Sequence, residues 1–258
     1  MKLKEEDFKV LREPLESGRQ SRESLSATLI IGIFLQALMF SLTYFLTGDI
    51  TTFPYKEEII NTHFWITASL IGLSLLYAIP FVYKRSERIQ YLLVIVVSHN
   101  MSSIPLLIMS LFLIGLKDEG LTTNEGTLLK IATIILAIGL FLFVATFARF
   151  YILLKKGQYR KGSKKEEQRS ELATMAFFPG IALICGIGLV LIAKYISKNS
   201  NYYDSNSPLI IVGGMFLFFV MIVILPEQLV ILYCKYKYKS FNFNERGYLY
   251  SSEDQNEK

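Results

Sequence analysis

The sequence predicts an all-α integral membrane protein, a bundle of six transmembrane helices with both termini in the cytoplasm. Three observations support this fold class. First, 52% of the 258 residues are hydrophobic, and they are gathered into long blocks that contain almost no charge. Second, charged residues form only 19% of the chain, below the roughly 25% of soluble domains, and they lie between the blocks. Third, Lys and Arg are concentrated in alternate connecting segments.

Each hydrophobic block is long enough to cross the hydrocarbon core of a bilayer, which takes about 20 residues of helix. Backbone polar groups must satisfy one another in lipid, so each block is expected to be helical. The six blocks cover residues 27–46, 64–83, 91–116, 131–154, 172–193 and 209–234. The chain therefore divides into an N-terminal tail (1–26), a six-helix transmembrane domain (27–234) and a C-terminal tail (235–258).

The basic residues indicate how the helices are oriented. Of the 27 Lys and Arg residues, 22 lie in or beside the two tails and the segments that follow the second and fourth blocks, and five lie on the other side. Lys and Arg are enriched in the cytoplasmic segments of membrane proteins, so both tails are expected in the cytoplasm. The many Ile, Lys, Asn and Tyr residues favour an AT-rich bacterial genome, and hence a location in a bacterial plasma membrane.

The two tails carry apolar and aromatic side chains among their charges. Phe8, Leu11 and Leu15 share one helical face. This pattern predicts either a short interfacial helix that is interrupted near Pro14, or a partly disordered tail. After the last block, aromatic and basic residues alternate over 233–239. Such residues hold a chain at the headgroup layer and attract anionic lipids, so a bilayer with anionic lipids is an expected partner.

Polar side chains inside the predicted spans are the first candidates for function, because they are costly to bury in lipid. The candidates lie in three blocks, roughly 10–14 Å from the cytoplasmic edge at 1.5 Å per residue. They are Gln36, His99, Asn100, Glu227 and Gln228. One hypothesis is that they line a polar cavity open to the cytoplasm, with His99 and Glu227 sharing a proton. The alternative is that each polar group is satisfied separately between packed helices.

Two further ionisable residues lie near the ends of predicted helices. Arg149 belongs to the cytoplasmic end of the fourth block, where its side chain either extends to the interface or forms an ion pair with Glu227. His63 lies beside Phe64 and Trp65 at the outer edge of the second block. That position is typical of an interfacial aromatic belt, and no role is assigned to His63.

Small residues, cysteines and histidines indicate which helix contacts, disulfides and metal sites the chain could form. Ala182 with Gly186, and the neighbours Gly213 and Gly214, permit close contact between helices, which is weak support for a homo-oligomer. Cys185 and Cys234 are predicted at different depths, which argues against a disulfide between them. Two histidines and two cysteines do not supply a structural zinc site with the usual ligand spacing, so no metal or other cofactor is expected.

The sequence disfavours several function classes. It contains no phosphate-binding glycine-rich loop, no GxSxG elbow and no HExxH motif, so an intramembrane enzyme is the least favoured class. The net charge of +5 is explained by membrane orientation, and no nucleic-acid partner is expected.

Two non-enzymatic classes remain. The first is an immunity protein, or a scaffold or accessory component of a membrane or secretion complex, which acts through a protein partner or a homo-oligomer. Such a protein is expected to use exposed loops such as 47–62, with Asp49, Glu57 and Glu58. The alternative is a permease-type transport subunit, similar in outline to that of an ABC exporter, with a separate ATP-binding partner.

Overall fold

The computed structural model describes residues 3–116, 124–163 and 203–251, with side chains from residue 209 onward in the last range. Within these ranges the chain is helical apart from turns, short irregular segments and two isolated β-bridges. The α-helices are α1 (Glu13–Glu16), α2 (Arg22–Thr47), α3 (Lys56–Ala78), α4 (Pro80–Arg85), α5 (Glu87–Ile114), α6 (Glu125–Lys155) and α7 (Tyr203–Lys237). Short 3-10 helices cover Glu5–Arg12 and Lys239–Phe241.

Five of the described helices are long and apolar enough to cross a membrane: α2, α3, α5, α6 and the Leu209–Lys237 part of α7. Their outer faces expose large apolar side chains, such as Phe34 at 72% and Phe141 at 71%. Faces of this kind need an apolar partner, which lipid supplies in a multi-pass membrane protein. The predicted block 172–193, with Ala182, Cys185 and Gly186, lies outside the described residues.

Helix α5 is the centre of the described bundle. It packs closely against α2 and α7 and also contacts α3 and α6, whereas α2 packs on α3 and α6 packs on α7. We call the end of the bundle with Arg22, Glu87 and Lys237 the basic end. Helices α2 and α5 run away from the basic end, and α3, α6 and α7 run towards it. Because α5 has neighbours on several sides, it buries more of its surface than the outer helices do.

The second predicted span does not remain one helix through Pro80. Helix α3 ends at Ala78, Ile79 is extended with φ −75° and ψ 128°, and Pro80 begins the separate helix α4. The proline ring disfavours the helical conformation of the residue before it, so the helix ends there. The Ala78 carbonyl left without an intrahelical partner accepts a hydrogen bond from the Ser26 hydroxyl of α2 at 2.8 Å.

Helices α5 and α7 approach closely where Gly214 faces α5. A β-carbon at Gly214 would lie 2.9 Å from the Leu106 carbonyl oxygen, closer than normal packing permits. In the same region the Ser110 hydroxyl donates to the carbonyl oxygens of Leu106 and Ile211, at 2.8 and 3.3 Å. The small residue and the short serine side chain therefore allow the backbones of the two helices to approach.

The connection between α2 and α3, at the end opposite the basic end, is packed against α5. Thr51 and Phe53 are buried, and the Thr51 hydroxyl donates to the Phe112 carbonyl at 2.8 Å. Helix α3 begins at Lys56, ahead of the predicted residue 64. The expected loop 47–62 is therefore partly buried and partly helical. The acidic residues predicted there, Asp49, Glu57 and Glu58, are exposed.

The first and last described segments of the chain fold onto the basic end. We call residues 3–21, 157–163 and 238–251 together the terminal cap. Phe8, Leu11 and Leu15 are buried in one apolar cluster with side chains of α5, α6 and α7. The Val10 amide donates to the Tyr159 carbonyl at 3.0 Å. The apolar face predicted in the N-terminal tail is thus part of a folded segment, and protein covers it.

Candidate functional site

Three polar side chains from three helices meet inside the bundle. Asn100 of α5 donates through Nδ2 to Gln36 Oε1 of α2 at 3.0 Å and to Thr67 Oγ1 of α3 at 3.1 Å. Gln36 Nε2 donates in turn to the Gly32 carbonyl at 3.1 Å. All three side chains are at least 96% buried. Hydrogen bonds of this kind hold helices together where lipid cannot satisfy a polar group.

His63 extends this cluster on α3. Its Nδ1 lies 2.7 Å from the Tyr44 hydroxyl of α2, and the residue is 4% exposed. The aromatic-belt interpretation of His63 is therefore wrong, although its neighbours Phe64 and Trp65 are exposed. Residues His63, Thr67, Leu70 and Ser74 are buried at helical spacing along one face of α3. We call Gln36, Tyr44, His63, Thr67 and Asn100 the polar junction.

The other predicted site residues lie apart from these hydrogen bonds. His99 Nδ1 is 2.9 Å from the Ile95 carbonyl oxygen of its own helix, and a carbonyl only accepts, so Nδ1 carries the proton. Neither ring nitrogen of His99 bonds to Glu227 within the described part of the chain. Glu227 is half-buried on α7, within electrostatic range of Tyr91. Gln228 is half-buried beside it, with its Oε1 inside the protein.

Arg149 does not pair with Glu227. It is exposed on α6, and the described residues show no ion pair between the two side chains. An arginine near the end of an apolar helix can reach the interface through its flexible stem. The exposure of Arg149 favours that interpretation. The structure therefore brings together Gln36 and Asn100 from the predicted set, without Arg149, His99 or Glu227 joining their hydrogen bonds.

A buried ion pair joins α5 and α7 at the basic end. Lys235 Nζ lies 3.3 Å from Glu87 Oε1, and Lys235 is 1% exposed. The same ammonium donates to the Phe241 carbonyl at 3.0 Å, and the Phe243 amide donates to Glu87 Oε2 at 3.2 Å. The headgroup interpretation of the 233–239 segment is therefore wrong for Lys235. Its ammonium is paired inside the protein, since an unpaired buried charge would be far more costly.

This ion pair fixes the C-terminal segment. Tyr91 and Phe243 place their rings 5.5 and 5.2 Å from the Lys235 ammonium. Asn242 Nδ2 donates to the carbonyl oxygens of Lys235 and Tyr238, at 2.8 and 2.9 Å. Because the ammonium and the carboxylate each bond to the backbone beyond α7, the segment 238–243 has a defined position on the bundle.

The N-terminal segment is tied to the same surface. Arg22 Nη2 donates to the Asn244 carbonyl at 2.6 Å, and Arg12 Nη2 donates to the Tyr250 carbonyl at 3.2 Å. Ser240 and Glu5 form a further side-chain hydrogen bond. The first and last described segments of the chain are therefore connected directly, in addition to their apolar contacts.

Asp7 links the N-terminal segment to the turn after α6. The Arg160 guanidinium contacts Asp7 Oδ1 at 2.7 and 2.8 Å. Burial alone would raise the pKa of Asp7. The hydrogen bond from the Lys4 amide and the charge of Arg160 outweigh burial, and the net effect is a pKa below the ordinary value of 3.8. Asp7 is therefore ionised at neutral pH.

The described residues include no group of three His, Cys, Asp or Glu side chains that could hold a metal ion. Cys234 is a free thiol with no exposed surface, surrounded by apolar side chains. Buried structural cysteines of this kind are chemically inert. The arrangement of the polar junction and the terminal cap is suited to holding helices and segments together.

Comparison of the chain with protein-family models, with curated proteins and with solved structures finds no match.

Proposed function

We propose that this chain is a non-enzymatic accessory protein of a bacterial plasma membrane, acting as an immunity protein or as a scaffold within a membrane or secretion complex. The observation that carries the proposal is the terminal cap. The first and last described segments form one ordered surface at the basic end, with the buried Glu87–Lys235 pair beneath it. An ordered surface of this kind can bind a partner without a large entropic cost of folding.

The polar junction supports the same class of function. A substrate path needs polar groups that face water, whereas Asn100 bonds to Gln36 and to Thr67, and all three side chains are buried. Their arrangement corresponds to the second sequence hypothesis, in which polar groups between helices stabilise packing. A permease-type transport subunit remains the alternative, and identifying the stoichiometric partners of the protein distinguishes the two functions.

We further propose that the chain crosses the membrane six times with both termini in the cytoplasm. Helices α6 and α7 both run towards the basic end, so a span in the block 172–193 would return the chain between them. This arrangement keeps the terminal cap on one side. The excess of Lys and Arg at the basic end supports a cytoplasmic location for it.

The proposal is tested by purifying the tagged protein from native membranes in mild detergent and identifying its stoichiometric partners by mass spectrometry. A cap variant, Glu245→Ala with Tyr248→Ala, changes two exposed residues of the C-terminal turn. The comparison variant is Asp49→Ala with Glu58→Ala, two exposed residues at the opposite end, in the segment 47–62 that the sequence favours as a partner surface. Loss of the partner in this variant alone would place the interface there and contradict a role for the terminal cap.

The expected result is a stoichiometric protein partner that the cap variant loses and the comparison variant retains. A stoichiometric ATP-binding subunit would contradict the proposal and establish the permease alternative. A protein that purifies without any stoichiometric partner would contradict both.

A further inference from the structure

At the basic end, three helices finish with the same arrangement of an aromatic residue followed four positions later by a basic residue. In a helix this spacing places both side chains on one face. The cationic group lies over the ring at 4.3, 4.7 and 5.3 Å from the centroid in α4, α6 and α7. The pairs are Phe81 with Arg85, Tyr151 with Lys155, and Tyr233 with Lys237.

These rings lie on the outside of the protein. Phe81, Tyr151 and Tyr233 are 65%, 44% and 50% exposed. Aromatic side chains at helix ends lie at the level of the lipid headgroups, with basic groups directed to the aqueous side. The repeated pairs therefore stand at the ends of three different helices, where a headgroup layer would meet exposed rings and cations.

Two of the basic residues here are arginines that lie three positions apart, at the end of α4 and in the first turn of α5. Arg85 stacks on Phe81, and Arg88 lies 5.4 Å from the ring centroid of Tyr236, which belongs to α7. Arg85 and Arg88 are exposed, and neither pairs with a carboxylate among the residues that the structure describes. Tyr236 is 53% exposed, so its phenol is accessible beside the Arg88 guanidinium.

An apolar ridge continues from this pair into the spanning part of α5. Ile89, Leu92 and Val96 are 45%, 39% and 41% exposed. Their spacing of three and four residues places them in a line on one face of the helix. The two guanidinium groups thus lie at one end of an exposed hydrophobic track, which extends away from the basic end.

We propose that Arg85, Arg88 and Tyr236 bind the phosphate of an anionic phospholipid, whose acyl chain lies along Ile89, Leu92 and Val96. A guanidinium donates two parallel hydrogen bonds to a phosphate, which an ammonium does not do. Phe81 and Tyr236 hold the guanidinium groups in position by cation–π contact. The hydrophobic track supplies contacts for an acyl chain. A free phosphate has no acyl chain and cannot make these contacts. The lipid site is independent of the function proposed above.

The experiment uses the full-length protein in detergent micelles and compares its unfolding temperature with phosphatidylglycerol or phosphatidylcholine added. The test variant is Arg85→Gln with Arg88→Gln. The matched control is Lys84→Gln with Lys156→Gln, which removes the same charge from exposed residues of the basic end that have no ring contact among the described residues. Inorganic phosphate is added in a parallel series.

We expect phosphatidylglycerol to raise the unfolding temperature of the wild type by roughly 3 °C more than phosphatidylcholine does. The arginine variant is expected to lose most of this difference, and the lysine control to keep it. Inorganic phosphate is expected to have no effect. If the two variants lose the phosphatidylglycerol effect equally, the proposal is overturned, because the lipid is then attracted to charge in general. Equal stabilisation of the wild type by the two lipids, or stabilisation by inorganic phosphate, would also overturn it.

If the arginine variant does not fold, the wild type still tests the site. Native mass spectrometry after exchange into mixed micelles with equal amounts of the two lipids measures which lipid is retained. Retention of one phosphatidylglycerol molecule in preference to phosphatidylcholine supports the site, and equal retention overturns it.

Discussion

Asn100 shows that a polar residue in a membrane span can be identified from the sequence as a hydrogen-bonding site between helices. An amide in an apolar block must find hydrogen bonds, so Asn100 and Gln36 could be singled out from the sequence. Their partner Thr67 could not, because threonine is common in membrane helices. The neighbours Phe64 and Trp65 favour an interfacial position for His63. Its spacing of four residues from Thr67 is the signal that identifies the buried face of α3.

Replacing Asn100 by Leu should destabilise the bundle. The change removes the bonds to Gln36 Oε1 and Thr67 Oγ1 and leaves Gln36 Oε1 inside an apolar environment. We expect a loss of about 1–2 kcal/mol, measured as a lower unfolding temperature in detergent. Ser98→Ala is the control, because this half-buried residue of the same helix makes no side-chain hydrogen bond among the described residues. An unchanged unfolding temperature for Asn100→Leu would show that the junction does not stabilise the packing.

The Glu87–Lys235 pair is best tested by a double-mutant cycle. Lys235→Met alone leaves the Glu87 carboxylate buried with the Phe243 amide but without its direct ion-pair partner. The expected loss is about 3–5 kcal/mol, because an unpaired buried charge is costly. Lys235→Met combined with Glu87→Gln should restore much of this loss in a chemical unfolding experiment. Additive effects of the two changes would mean that the charges do not interact.

Among the helices, the differences between sequence prediction and structure concern their ends. The hydrophobic blocks identify α2, α3, α5, α6 and α7, since length and apolar character determine which segments can cross a bilayer. The division at Ile79 depends on a local steric effect of Pro80. Hydropathy does not report that effect. The early start of α3 at Lys56 depends on charged residues that hydropathy excludes from a span.

The close contact between α5 and α7 predicts the effect of a substitution at Gly214. Gly214→Ala should destabilise the protein by about 1–3 kcal/mol, because the new methyl group would be forced against the Leu106 carbonyl. Gly72→Ala is the matched control: Gly72 lies on the exposed side of α3, with no atom within 4 Å of an added β-carbon. The control should be neutral or slightly stabilising, since alanine favours the helix. If the unfolding temperature falls by the same amount in both variants, the close approach of α5 and α7 is contradicted.

The contacts of the terminal cap are the part of the described molecule that the sequence predicts least well. The apolar face of Phe8, Leu11 and Leu15 was visible as a pattern, but the pattern did not indicate what covers it. Its partners come from α5, α6 and α7 and from the segment after α7. Contacts between residues so distant in the chain leave no local periodicity. The alternation of aromatic and basic residues over 233–239 favours the headgroup layer for Lys235, because a lysine is seldom fully buried inside a protein.

The cap should respond to acid through Asp7. Its folded-state pKa is below 3.8, so the stability that it contributes is complete above the unfolded value of about 3.9 and is lost as pH falls through the lower, folded value. Limited proteolysis of the N-terminal segment is expected to accelerate below about pH 4 in the wild type. Asp7→Asn should show faster cleavage at neutral pH and less dependence on acid. Asp49→Asn, an exposed carboxylate at the other end, should behave like the wild type.

The first and last described segments are expected to form one cap on a single side of the membrane. The most direct test places cysteines at Glu5 and Ser240, whose side chains are in contact, in a chain with Cys185→Ala and Cys234→Ala. A short bis-maleimide is added to isolated membranes, and the linked peptide is identified by mass spectrometry. We expect an efficient link within one chain for Glu5→Cys with Ser240→Cys, and none for Glu5→Cys with Asp49→Cys. If the Glu5 and Ser240 cysteines do not link, and an impermeant maleimide labels them from opposite sides of the membrane, the two segments do not form one cap.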